Sequence, residues 1–430
     1  MSVFAKTSRS RTRITTLSGI AVLAASAMVL AGCASQPEGN GETENSGGGE
    51  AGARDLTLNI GTVLPQTGSL AFLGPPEEAG VALAAKEIND ADLGITVDVT
   101  YGDSGDADNK AYATTVPQLL NSGVSAVIGA AASGVSKLFI DDVTGAGVIQ
   151  FSPANTSPDF TSWDDNGLYW RTAPSDLLQG EVLGNEIASD GNSTLGIIYL
   201  NDAYGTGLEK VTSEIFEESG GEVVASESFN AGDSSFDAQI SSVLAQNPDA
   251  LALITFDEVY TIVPALKAAG FDTSKLYLVD GNLKQFGTDL DPGSLTGAKG
   301  TTPGPVLEDD FQERLNAAWQ EDLNNSSELS DFSYAAESYD AVILLALAAM
   351  AANSTDGADI AAKLQEVSGG SGDGEKVTDF AAGAQIIIDG GVADYDGYSG
   401  PITFDENGDP TEATIGIFQY GEDNNHTRLD

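Results

Sequence analysis

The chain has 430 residues, with 65 Asp+Glu against 18 Lys+Arg and a formal charge of −47 near neutrality. A surface this negative repels phosphate backbones and anionic headgroups, which excludes nucleic acid and acidic membrane surfaces as partners. Cys33 is the one cysteine and His426 the one histidine, so an internal disulfide, a Cys/His zinc site and Ser-His-Asp or Cys-His catalysis are excluded too.

The N-terminus reads as an export signal. Lys6, Arg9, Arg11 and Arg13 form a basic stretch, and residues 17–31 an apolar run of 15 residues. That run is short for a bilayer span and carries the positive flank of a signal peptide. It ends in Leu30-Ala31-Gly32-Cys33, which resembles the lipobox of bacterial lipoproteins. The resemblance implies cleavage before Cys33, a lipid anchor on that cysteine and a place on the outer face of the cytoplasmic membrane. Residues 33–54 then form a tether rich in Gly, Glu, Asn and Ser, with an r.m.s. reach of roughly 25 Å. Its Gly47-x-Gly49-x-x-Gly52 has neither a strand before it nor a helix after it, so it is no dinucleotide fingerprint.

About 375 residues follow, enough for two cores. Strands are predicted at 56–64, 95–101, 126–129 and 148–152, with helices at 75–89, 111–122 and 137–145 between them. Pro75-Pro76 suits a first helical turn, where the missing N–H costs nothing, and Glu77 and Glu78 suit the positive end of the helix dipole. The rhythm restarts with strands at 194–200, 222–229, 250–256 and 276–280 and helices at 206–219, 237–246 and 259–269. Residues 281–305, rich in Gly, Pro and Thr, read as a connection. Helices return at 309–324, 334–353, 356–367 and 381–390, and the apolar stretch 342–352 reads as a buried helix. Strands at 401–405 and 414–420 flank the turn signal Asn407-Gly408. Strand alternating with helix predicts α/β architecture with mostly parallel sheets.

No catalytic constellation can be assembled. No phosphate loop occurs, and Asp405-x-Asn407-x-Asp409 departs from a calcium loop because its glycine comes too early and Gly416 stands where a Glu is needed. Neither a metal nor a cofactor is expected, and the chain reads as a binding protein, not an enzyme. Ligands of open parallel sheets gather beyond the carboxyl ends of the strands. Three segments place polar or small residues there: Gly129 to Gly134 with Ser133, Ser152 to Thr156, and Asp280-Gly281-Asn282. Backbone N–H groups with a hydroxyl at a helix start suit a carboxylate.

The order of motifs resembles the branched-chain amino-acid class of type I periplasmic binding proteins, the receptors of ABC importers. Ile60-Gly61-Thr62-Val63-Leu64-Pro65-Gln66-Thr67-Gly68, Phe151-Ser152-Pro153-Ala154-Asn155-Thr156-Ser157-Pro158, Arg171-Thr172-Ala173-Pro174-Ser175-Asp176, Asp202-Ala203-Tyr204-Gly205, Tyr339-Asp340-Ala341-Val342 and Gly400-Pro401-Ile402-Thr403-Phe404-Asp405 carry it. The resemblance implies two Rossmann-like lobes joined by a three-segment hinge. The lobes would span 55–174 with 302–395, and 175–301 with 396–430, with crossovers near 171–175, 301–304 and 394–400. It further implies that Ser133, Ala154 and Thr156 hold a ligand carboxylate and that Asp280 pairs with its ammonium. Tyr204 would close over the ligand, with Phe72 and Phe256 as aromatic neighbours. The expected ligand is an amino acid, branched-chain or otherwise aliphatic, delivered by a monomer to an ABC permease. Urea, a short amide or an aromatic acid is the alternative ligand on the same fold, and an extracellular sensor the alternative role.

Overall fold

The computed structural model describes residues 54–429; Cys33, the apolar run and most of the tether lie outside them. The first half runs β1 (Leu56–Val63), α1 (Gly74–Ala91), β2 (Ile95–Thr100), α2 (Tyr112–Ser122), β3 (Ala126–Gly129), two short helices α3 (Ser133–Ser136) and α4 (Ile140–Gly145), β4 (Ile149–Ser152) and β5 (Tyr169–Arg171). These strands form a parallel sheet in the order β2-β1-β3-β4-β5. The second half runs α5 (Asp176–Ser189), β6 (Thr194–Leu200), α6 (Ala203–Glu218), β7 (Glu222–Phe229), α7 (Asp237–Leu244), β8 (Ala250–Ile254), α8 (Val259–Ala268), β9 (Leu276–Val279) and β10 (Lys299–Pro303). Its parallel strands repeat the same path, β7-β6-β8-β9-β10. The chain continues with α9 (Asp309–Ala317), α10 (Ala335–Ala352), α11 (Gly357–Val367), β11 (Glu375–Val377), α12 (Phe380–Ile388), β12 (Ala393–Gly397) and β13 (Gly400–Pro401), and ends with β14 (Ile415–Tyr420) and β15 (His426–Arg428). The last two extend the second sheet antiparallel beyond β10.

Central strands are apolar runs because helices cover both of their faces. All residues of β3, β4 and β8 are buried. The helix α10 is apolar all round, the mark of a helix enclosed on every side. It is long and apolar enough to cross a membrane, yet 89% of it is buried inside the protein. Val342, Leu345 and Ala349 of α10 share one core with Ala79, Val81 and Ile88 of α1. A second core gathers Ile197, Leu253, Val263 and Leu278 around the second sheet.

Several elements differ from the sequence reading. The strand β10 lies inside the stretch read as a connection; Lys299-Gly300-Thr301-Thr302-Pro303 has no apolar alternation, and pairing on both sides makes it a strand. The helix α5 was not foreseen, since Gly180 and Gly184 lower helix propensity. Here glycine serves packing: a Cβ on Gly180 would lie 2.7 Å from the Val211 side chain of α6. The predicted helix 137–145 is shortened to α4 and preceded by the separate turn α3, and the helix 309–324 ends as α9 followed by a π turn at Ala318–Asp322.

The boundaries between halves also move. Thr302 and Pro303 belong to the second sheet, and the first core resumes with Phe311 and Leu315 of α9. The third crossover is not at 394–400, where β12 and β13 lie. Ile402 and Phe404 still pack in the first core, with the Phe404 ring 5.2 Å from that of Trp170 and 6.0 Å from that of Phe151. The chain rejoins the second sheet only at Ile415. Residues 396–410 therefore pack with the first half, because Phe404 completes its core and Asp409 pairs with a buried arginine there.

That arginine is Arg171, at the end of β5. Its Nε and Nη2 donate to Oδ1 and Oδ2 of Asp409 at 2.6 and 2.9 Å. Its Nη1 donates to the carbonyls of Asn155 and Ser157 at 3.2 and 2.8 Å, and Nη2 also reaches the Thr161 hydroxyl at 3.1 Å. Burial works against its charge, yet the hydrogen bond and charge of Asp409 hold its pKa above the ordinary value. Arg171→Met leaves the Asp409 carboxylate and two carbonyls without their donor, and removing one partner of a buried pair costs about 3–5 kcal/mol. Arg171→Lys keeps the charge without the planar fork, so urea unfolding should rank stability as wild type, then Lys, then Met. A wild-type midpoint for the Met variant would contradict this account.

Candidate functional site

The strand order reverses direction between β1 and β3 in the first sheet and between β6 and β8 in the second. Such reversals open a crevice beyond the carboxyl ends of the strands. Gly129 closes β3 with φ of 121°, and a Cβ there would lie 2.1 Å from the Val63 carbonyl oxygen. Only glycine permits that approach, and it turns residues 130–133 out of the sheet.

The loop after β4 is fastened to this turn. The Asn155 amide donates to the carbonyls of Ala130 and Ala131 at 2.9 and 2.8 Å. The Tyr169 hydroxyl donates to Asn155 Oδ1 at 3.0 Å, and Arg171 holds the Asn155 and Ser157 carbonyls from behind. Ser133, Ala154 and Thr156 therefore stand on backbone fixed from two sides. Ser133 is the first residue of a helix of only four residues, so the hydroxyl and local N–H groups, not a macrodipole, are what it offers. The Ser133 hydroxyl accepts from the Ser157 N–H at 3.3 Å, and the Thr156 side chain is turned toward the Asp176 carboxyl.

From the second half, Tyr204 lies in the first turn of α6, which Asp202 caps by accepting from the Gly205 N–H at 2.8 Å. The Tyr204 hydroxyl donates to Asp280 Oδ1 at 2.6 Å, and its ring stacks on Phe256 at 5.3 Å. Gln179 Nε2 also donates to Asp280 Oδ1, at 3.0 Å, and the Tyr334 hydroxyl donates to Oδ2 at 2.7 Å. Burial raises the pKa of Asp280 above the usual carboxylate range, and these three donors oppose the rise. Asp176 is buried beside it, and burial together with the Asp280 charge lifts its pKa well above the ordinary range, against a smaller opposing hydrogen bond from Thr156. The pair can carry one negative charge far more readily than two.

Ser133, Ala154, Tyr204, Phe256 and Asp280 line one cavity of about 10 Å³, together with Leu70, Leu73, Ala131 and Tyr334. That is room for about one water. Thr156 is buried next to this cavity's Ala154 but is not part of its lining. Phe72 is a correction. The Leu73 N–H donates to the Leu70 carbonyl, a turn that sends Leu70 and Leu73 to the cavity and Phe72 away from it. The Phe72 ring instead lies 4.6 Å from the Lys284 ammonium and lines a separate cavity of about 260 Å³ with Tyr260.

Tyr334, Gln179 and Asp176 were not anticipated. Tyr334 precedes α10 with φ of 60°, a left-handed conformation uncommon for a bulky residue. It sends the side chain away from its own helix and onto Asp280. The only trace in the sequence was its position at a helix start.

The family model of periplasmic binding proteins matches residues 57–415. The chain belongs to that family. The relatives it matches are solute-binding proteins, not enzymes. The leucine-, isoleucine-, valine-, threonine- and alanine-binding protein of Pseudomonas aeruginosa is 31% identical over 191 residues, 44% of this chain and 50% of that protein. The chain thus spans about half the length of this relative. The leucine binding protein LivK of Thermotoga maritima superposes with a TM-score of 0.69 at 21% identity, over 87% of this chain and 98% of the other. The branched-chain amino acid transporter substrate binding protein LivJ of Streptococcus pneumoniae, solved with isoleucine, gives 0.68 at 24% identity, over 87% and 99%. These likenesses establish the type I fold of two parallel α/β lobes.

Behind the site, Glu337 of α10 is buried next to the segment that leaves β10. Burial, with a smaller push from the Asp340 charge, lifts its carboxyl to about 8. An unfolded chain releases that proton near pH 4.3, about the value of a free Glu. The folded form therefore holds the extra proton between these values, and its stability falls as pH rises through the window. Glu337→Gln removes this slope. The difference in melting temperature should shift in favour of the variant between pH 5 and pH 8, and a constant difference would contradict the assignment.

Proposed function

We propose that this protein is an extracytoplasmic, lipid-anchored receptor that captures a free α-amino acid between its lobes and presents it to an ABC permease. The observation that carries the reading is a single cavity with a hydroxyl-and-amide loop on one wall and a buried carboxylate on the other. Ser133, Ala154 and the neighbouring Thr156 suit the negative end of a zwitterion. Asp280, held by Tyr204, Tyr334 and Gln179, suits the positive end. The names of the relatives, which bind leucine, isoleucine, valine, threonine or alanine, support the same ligand class. The Leu30-Ala31-Gly32-Cys33 string supports the anchor.

With room for about one water, the closed cavity admits an amino acid only after the lobes part. Binding then draws carboxylate and ammonium onto opposite walls, and the hinge segments absorb the rotation. The ligand shifts the population by its differential affinity for the closed form, which is the form the permease reads.

Thermal melting against a panel of amino acids tests the reading, because a ligand bound only to the folded state raises the melting temperature by mass action. At least one zwitterion should do so. Asp280→Asn should weaken its binding by about tenfold to a hundredfold, the worth of a charge-assisted hydrogen bond. A flat response to every amino acid, or full affinity in the Asn variant, would reject the proposal.

A further inference from the structure

Resting on that reading, we infer that the ligand carries a long side chain ending in a cation. The cavity at Asp280 adjoins a larger space. Leu70, Ala132 and Phe256 line it and also line a second chamber of about 550 Å³ between the two halves. Chambers of about 300–1,000 Å³ are the size at which whole organic ligands are enclosed. A branched side chain of four carbons would leave most of this one empty.

The lining states the chemistry. Leu200, Phe236 and Phe256 offer an apolar wall for methylene groups, as the stem of a lysine or arginine requires. Asp106 and Asp108 of the first half, and Asp202 and Glu258 of the second, supply carboxylates, while Lys, Arg and His are absent from the lining. Backbone N–H groups hold these carboxylates in place. Asp106 Oδ2 accepts from Ser69 at 3.0 Å and Glu258 Oε2 from Phe256 at 2.8 Å.

The acidity of the whole surface does not account for this arrangement. Asp106 of the first half and Asp202 and Glu258 of the second are half-buried, and they face each other across the cleft between the halves. Burial raises the Glu258 carboxyl above its ordinary range, and the charges of Asp257 and of Asp106 across the cleft add to the rise. Burial likewise brings Asp202 to about 6, with Glu258 adding to the rise and the Lys137 charge opposing it. Closure therefore gathers like charges unless a cation enters with the ligand. No group of three or more such side chains among the described residues is arranged to hold a metal ion. Carboxylates spaced along an apolar wall instead suit an ammonium or guanidinium on a flexible stem, joined to the head group at Asp280.

Titration calorimetry on the full soluble chain with L-lysine, L-arginine, L-norleucine, L-leucine and Nε-acetyl-L-lysine separates the possibilities. Lysine or arginine should bind at least about tenfold more tightly than norleucine or the acetylated lysine. Added salt should narrow that ratio, since the charges at the rim are screened. The double variant Asp106→Asn, Glu258→Gln should reduce the ratio to about threefold or less. Leucine or norleucine binding as tightly as lysine overturns the inference and leaves the amino-acid receptor standing. An undiminished ratio in the double variant also overturns it. Failure of every amino acid to bind overturns the inference and the receptor assignment together.

Discussion

The buried guanidinium of Arg171 is the constraint on which the rest of the architecture depends. Five donors in a planar fork meet a carboxylate, two carbonyls and a hydroxyl drawn from three parts of the chain. A fully buried cation is tolerable only when such partners replace water. The same bonds fix the backbone from Asn155 to Ser157, and with it the wall that carries Ala154 and Thr156. One group thus serves two places: what anchors the last crossover also sets the position of the loop that brings Ala154 to the cavity.

The opposite wall follows a different physical logic. Asp280 sits in a low-dielectric position with three side-chain donors, and Asp176 lies buried beside it with its pKa lifted by the Asp280 charge. Glu77 is likewise enclosed with both oxygens unpartnered, its pKa raised by burial and by the charges of Glu78 and Glu337. A protein with this many acids cannot ionise all of those it buries, and the ones left neutral cost little. Of Glu77, Asp176 and Asp280, the one held by three side-chain donors is Asp280, and it is the one that lines the cavity.

Much of this was legible from the chain. Runs such as Ala126-Val127-Ile128-Gly129 and Ala250-Leu251-Ala252-Leu253-Ile254 announce strands buried on both faces, and their alternation with helices announces the sheet type. The carboxyl ends of strands pointed to Ser133 and Asp280, and family resemblance added Ala154, Tyr204 and Phe256; the fold gathers all five around one cavity. What escaped depends on contacts that local patterns do not encode. The strand Lys299–Pro303 exists because two neighbours pair with it. Tyr334 reaches Asp280 through a backbone angle that residue type disfavours. Phe72 and Leu73 are adjacent and similar in character, and a single turn decides which of them faces the cleft.

The interleaving of the two halves bears on how the chain acquires its structure. Arg171 and Asp409 are separated by 238 positions, and the first core is incomplete without Ile402 and Phe404. Contacts of such sequence separation close late and slowly, because the loop entropy must be overcome before they contribute. A ribosome or translocation channel releasing this chain N-terminus first delivers nearly all of the second half before the first can be sealed. The first core and its buried arginine pair therefore cannot be completed until the segment holding Ile402, Phe404 and Asp409 emerges.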